Sequence, residues 1–336
     1  MNGGEVEVFG QLPDGRSVER ITLRSGSLTA RFLTWGAVLQ DLRLAGHDFS
    51  LVLGLSTLED YLQHSKYFGA TAGRCANRIG NARFVLDGVA HEIDPNFIDK
   101  HHLHGGSDSC GKRLWEIGDF QTNSLELMHV LPDGHMGYPG QMRIRARFTL
   151  EGDALDIRYS AESDAPTLCN LAHHSYWVLD GSGTILDHEL QVSAETFTEI
   201  DDELIPTGQT PPVTGTHLDF RTASIVRPHS EAALIDHNFC VSESQKTLRT
   251  VACLKSETSG ISLNVQTTEP GLQVYDSGPM DVPILDIDGR ALKAHAGMAL
   301  EPQIWPDAIN HDHFPNVVLR PGETYEQHTR FEIAKG

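Results

Sequence analysis

The feature that most constrains how this chain can fold is a stretch of strict alternation between residues 141 and 161. Met142, Ile144, Ala146, Phe148 and Leu150 alternate with Gln141, Arg143, Arg145, Arg147 and Thr149, the period-two pattern of a strand with one buried and one wet face. After Gly152-Asp153, Leu155, Ile157, Tyr159 and Ala161 alternate with Asp156, Arg158 and Ser160. The two runs predict an antiparallel hairpin. Shorter runs at Arg20–Leu23, Leu28–Leu33, Ala82–Leu86, His188–Val192 and Ile261–Val265 are separated by turn pairs such as Asp14-Gly15, Asp87-Gly88, Asp133-Gly134, Asp180-Gly181 and Pro321-Gly322. Many strands at short spacing predict an all-β sandwich or barrel. Helical periodicity is confined to a short candidate at Ser56–His64, so the long helices of a Rossmann or TIM fold are not expected. No linker, charge block or fixed-period repeat interrupts the 336 residues, and the chain reads as one domain, 1–336.

Charge then narrows the partners. With 46 acidic against 26 basic residues the formal net charge is -20, a field that repels phosphate backbones and anionic membrane surfaces. The expected partner is therefore a neutral small molecule, with no nucleic acid and no membrane; the sequence shows no Lys/Arg cluster to draw in an anionic substrate. The five cysteines, Cys75, Cys110, Cys169, Cys240 and Cys253, never form a C-x-x-C pair, which points to reduced thiols rather than a disulfide framework or thiolate zinc site. The first residues lack the basic and apolar regions of a signal peptide, and no stretch approaches the roughly 20 apolar residues of a membrane span. A cytoplasmic location follows as an expectation.

Histidines are abundant and grouped: His101, His102 and His104; His173 and His174; His311 and His313. On a strand, His102 and His104 would share a face as some metal sites require, but no group matches H-E-x-x-H or a Cys/His finger, and no metal is expected. His173 and His174 must point to opposite faces of a strand, one toward a pocket and the other toward core or solvent. Glu301 follows an apolar run and precedes Pro302, at a strand end where a carboxylate can reach a cleft.

Read together, these segments resemble the aldose 1-epimerase family. Gly69 to Ile79 (G-A-T-A-G-R-C-A-N-R-I) is similar to its G-x-x-x-G-R-x-A-N-R-I segment, and Leu103-His104-Gly105-Gly106 with Trp115 to its L-H-G-G…W segment. Further matches follow in order at Gly137–Gly140, Asn170–Trp177, Leu204–Gly208, Asp236–Phe239, Gly271–Tyr275, Glu301-Pro302-Gln303, Pro306–Ala308 and Leu319–Tyr325. The resemblance implies a large antiparallel β-sandwich of the galactose mutarotase type. It implies acid/base interconversion of the anomers of a free aldose without cofactor, as a monomer or homodimer. Carried over residue by residue, it makes Glu301 the general base and His174 the general acid, with Asn77, Arg78, His104, Asp236 and Gln273 lining the sugar site. Trp177 and Trp305 are candidate apolar walls or core residues. His173, Pro302 and Ile235 depart from the family pattern beside the catalytic and binding residues, which leaves the preferred sugar open. A non-catalytic sugar-binding module would be expected to lack one member of the Glu/His pair, a glycosidase to pair two carboxylates, and an enzyme for acidic sugars to carry extra Lys or Arg around the site.

Overall fold

The computed structural model describes residues 5–65 and 67–335. The predicted hairpin is present as Met142–Glu151 and Ala154–Ser163, registered so that Phe148 faces Ile157 and Arg147 faces Arg158. Its apolar residues are buried, while Arg143, Arg145 and Arg158 are exposed. The hairpin lies within a nine-stranded sheet whose strands run, side by side, Glu116–Phe120, Ser124–Leu131, Met142–Glu151, Ala154–Ser163, Tyr325–Lys335, Ile261–Thr267, Arg249–Ser256, Glu189–Val192 and Ser224–Ile225. The last strand of the chain sits in the middle of this sheet, antiparallel to both neighbours.

Two smaller sheets face it. A four-stranded meander, Glu5–Gln11, Ser17–Ser25, Leu28–Leu33 and Val38–Leu44, brings Phe32 to 4.4 Å from Phe148 of the large sheet, ring centre to ring centre. A five-stranded sheet of Tyr176–Trp177, Met298–Gln303, Gly271–Tyr275, Asp236–Cys240 and Thr196–Phe197 sets Trp177 4.8 Å from Phe331. The chain is thus the expected all-β sandwich, with one extensive apolar core between its layers. The sequence-predicted strands fall inside or within a residue of those observed.

The short helix runs Leu58–His64, begun by Thr57, whose hydroxyl accepts the Asp60 amide at 3.1 Å. A second seven-residue helix, Val226–Ala232, escapes the periodicity; it is placed by its neighbours, with only Val226 buried. All five cysteines are unpaired. Among the described residues no helix is long and apolar enough to cross a membrane.

Candidate active site

The site is built on the five-stranded sheet. Its Met298–Gln303 strand is buried along its whole length, and Glu301 lies directly opposite Gln273 on Gly271–Tyr275. Paired residues share a face, so both side chains project to the same side, and Gln273 Nε2 donates to Asp236 Oδ1 at 2.6 Å. The other Asp236 oxygen takes a hydrogen bond from Arg78 Nη2 at 3.0 Å.

The two histidines are delivered by Ala172–His174, paired with Ala70–Ala72. His173 and His174 point to opposite sides, as the strand period demands. His173 turns into the core between Phe148 and Phe331, with centroids at 6.4 and 6.1 Å, and shares a 2.7 Å hydrogen bond with the Ser175 hydroxyl. His174 turns toward Glu301, its Nε2 3.4 Å from Glu301 Oε1.

His104 and Asn77 arrive on tight turns with φ of +51° and +64°. The Asn77 amide donates to His104 Nδ1 at 3.1 Å. In the neutral imidazole the accepting nitrogen is the unprotonated one, so Nε2 carries the hydrogen into the site. Asn77 Oδ1 in turn accepts the Arg78 amide at 2.9 Å.

All seven residues singled out in the sequence line one cavity of about 460 Å³, a size suited to a monosaccharide. Burial dominates its electrostatics. It holds the His174 imidazole down at about 4, drives His104 well below the usual histidine range, and lifts the Glu301 carboxyl well above the usual carboxylate range, Asp236 adding to the lift and Arg78 opposing it. Glu301 Oε2 and His174 Nδ1 are buried without a hydrogen-bond partner. Unpartnered buried polar atoms are costly, and Arg78 Nε is a third on the residues that line this cavity.

His104, His174 and Glu301 each bring a possible ligand atom within 4.8 Å of the others, so a metal shell must be considered. A metal-bound histidine donates its second ring N–H to an acceptor. His104 has the reverse arrangement: its second nitrogen accepts an amide hydrogen, which leaves a proton where a ligand lone pair is needed. This trio does not suit a cation. His102 does not join it either, because the strand ends at Leu103; His102 bonds instead to the Asp94 carbonyl at 2.8 Å and the Tyr138 hydroxyl at 2.7 Å.

The structure decides points that the sequence left open or missed. Of the two roles open to Trp177 and Trp305, the buried one holds and neither lines the cavity: Trp177 is fully buried in the core, and the buried Trp305 donates to the Pro270 carbonyl at 3.0 Å. His173, Pro302 and Ile235 likewise do not line it. Each is buried directly beside a residue that does line it, His174, Glu301 and Asp236 respectively. The absence of a local Lys/Arg group was overstated, since Arg78 and Lys112 both line the cavity. Arg78 is neutralised by Asp236, while Lys112 Nζ donates to the Ser107 carbonyl at 3.2 Å and lies 5.6 Å from the Tyr67 ring centre. Sequence reading also missed the aromatic lining. Tyr67, at φ +64°, sits 4.5 Å from His104 and 5.7 Å from His174, and Phe97 lies 4.8 Å from the Arg78 guanidinium. No short-range pattern marks either residue.

Fold and site together define a β-sandwich enzyme with a buried carboxylate and imidazole at the floor of a monosaccharide-sized cavity. The family model described as aldose 1-epimerase matches residues 19–332. The galactose mutarotase of Rattus norvegicus is 39% identical over 97% of both chains, and the aldose 1-epimerase of Escherichia coli 31% identical over 96% of both. A solved aldose epimerase homologue from C. elegans superposes with a TM-score of 0.88 at 34% identity, covering 94% of this chain and 98% of that one. A galactose 1-epimerase structure from Lactobacillus acidophilus, at 23% identity, shares the fold with a TM-score of 0.86 over 99% of both. This chain belongs to the aldose 1-epimerase family and is an isomerase.

Proposed function

We propose that the protein is a mutarotase that interconverts the α and β anomers of a free, uncharged aldose such as galactose or glucose, with Glu301 as general base and His174 as general acid. The reading rests above all on one distance, the 3.4 Å between Glu301 Oε1 and His174 Nε2. In a cyclic hemiacetal the anomeric hydroxyl and the ring oxygen are bonded to the same carbon. The groups that serve them must therefore be neighbours, unlike the carboxylates of a glycosidase, which stand roughly 5 Å or more apart.

The proton count closes. Glu301 takes the proton of the anomeric hydroxyl as His174 protonates the ring oxygen; the C1–O5 bond breaks and an open-chain aldehyde forms. The pair has then passed from carboxylate and imidazolium to carboxylic acid and neutral imidazole, the state that burial favours for both groups. After rotation about C1–C2 the ring oxygen attacks the other face of the aldehyde and both protons return. The pair carries one exchangeable proton throughout, so it stays electrically balanced while charge moves through a poorly hydrated site. His104 Nε2–H donates to the substrate's oxygens. Asp236, Gln273, Arg78 and Asn77 hold its hydroxyls, and Asp236 has both carboxylate oxygens already oriented. No metal or cofactor enters any step. The whole chain acts as one domain, as a monomer or homodimer, and five unpaired cysteines suit a reducing cytoplasm.

Polarimetry on freshly dissolved α-glucose and α-galactose tests this reading. The expected outcome is faster relaxation to the equilibrium rotation, unaffected by chelator; no acceleration with any free aldose would sink it.

A further inference from the structure

The outer face of the nine-stranded sheet carries a second concavity, about 530 Å³ in volume and separate from the sugar site in its lining residues. Its walls combine Arg145, Arg147, Arg158 and Lys246 with two carboxylates, Glu126 and Glu326, an excess of positive charge on a chain whose net charge is -20. Arg147 and Arg158 are directly opposed across neighbouring strands. Like charges in that position destabilise a sheet, and the surroundings relieve them poorly. Arg147 meets Asp119 only at 3.6 Å and Arg145 meets Glu126 only at 3.7 Å. Arg158 and the Lys246 ammonium make no ion pair or side-chain hydrogen bond among the described residues, and both are exposed.

The cavity is also held open from the side. Lys246 is presented by a loop whose backbone is tied to the Thr268 carbonyl at 2.9 Å. The preceding Gln245 donates to the buried Glu269 carboxyl at 2.6 Å and to the Glu326 carbonyl at 2.8 Å. The Lys246 backbone is therefore anchored opposite the arginine rows, while its exposed ammonium is free to reach a ligand.

We propose that this concavity binds a small phosphate monoester, with the Arg147 and Arg158 guanidiniums and the Lys246 ammonium around the phosphate and the remaining volume holding a polar carrier of sugar size. Planar guanidiniums match the tetrahedral dianion through paired N–H donors, and the ligand's charge offsets the repulsion between the two arginines. Nucleic acid fits poorly, because a polyanion would meet the negative field of the whole surface.

Isothermal titration of the full chain with inorganic phosphate and with glucose 6-phosphate tests the site, in saturating galactose so that the sugar cavity is filled. The expected result is saturable binding that weakens with added salt, tighter for the ester, and reduced about tenfold or more in an Arg158→Ala/Lys246→Ala double variant. Arg143→Ala, on the same face outside the cavity, should bind as the parent does. The double variant should relax α-galactose at the parent rate, which verifies its fold. Binding that survives unchanged in the double variant, falls equally with Arg143→Ala, appears only when galactose is omitted, or is undetectable at millimolar ligand would overturn the proposal.

Discussion

At the scale of single residues the catalytic proposal turns on one proton shared by Glu301 and His174. Glu301→Gln keeps the shape and removes the base, so turnover should fall by about 10²–10⁴-fold, read by polarimetry. The same variant should melt at a higher temperature near neutral pH, because it no longer asks a fully buried carboxyl to share space with Asp236; a lower melting temperature would show that ionised Glu301 is a net stabiliser. Asp236→Asn should act differently. It leaves the largely buried Arg78 guanidinium without its charge partner, at a cost of about 3–5 kcal/mol, and KM should rise because the single remaining oxygen can accept from Gln273 or from Arg78 but no longer from both. A variant with unchanged KM would remove Asp236 from hydroxyl binding.

At the scale of elements, the site depends on the packing beneath it. Phe148 touches Phe32 of the meander and His173 on the strand that delivers His174. Phe148→Ala should cost about 3–5 kcal/mol through lost burial and the cavity left behind, measured by denaturant unfolding. Activity per folded molecule should stay close to normal if the sandwich only supports the site, whereas a large fall in turnover would show that the layers set the Glu301–His174 gap. The elements themselves were legible in proportion to their amphipathicity. The hairpin at 142–163 stood out because it is half wet, and alternation is the imprint of a two-faced environment. Met298–Gln303, which carries Glu301, is buried on both faces and shows no such rhythm.

The whole molecule's response to pH follows from its buried ionisable groups. Burial holds His173 at about 3 and His102 at about 4, whereas in the unfolded chain both titrate near 6.5. Below that value the unfolded state binds more protons, so their contribution to stability, complete above about pH 6.5, is lost as the pH falls toward 4. The melting temperature should drop across that window, less steeply in His173→Asn. Glu269 runs the other way: burial lifts it to about 7. Its protonated form favours the fold below the unfolded value near 4.3, and this contribution is lost as the pH rises to 7. Glu269→Gln should accordingly stabilise the protein more at pH 8 than at pH 4, measured by thermal melts. An equal effect at both would place the Glu269 titration outside the folded range.

By itself the sequence determined the fold class and the family resemblance, because period-two alternation and turn chemistry are local, and because Asn77-Arg78, His104, His174 and Glu301 stand in recognisable short motifs. It also required that His173 and His174 face opposite ways. The resemblance already singled out His174 as the one that reaches the site, and the tertiary structure supplies the physical reason: His173 packs against Phe148 and Phe331, distant in the chain. The tertiary structure alone closed the large sheet with the last strand in its middle and brought Glu301 within 3.4 Å of His174. It alone gathered Tyr67, Phe97 and Lys112 around the same cavity. The reason is common to all of these: strand pairing joins segments far apart in sequence, and the pairing partner, not the residue type, determines what a buried side chain meets.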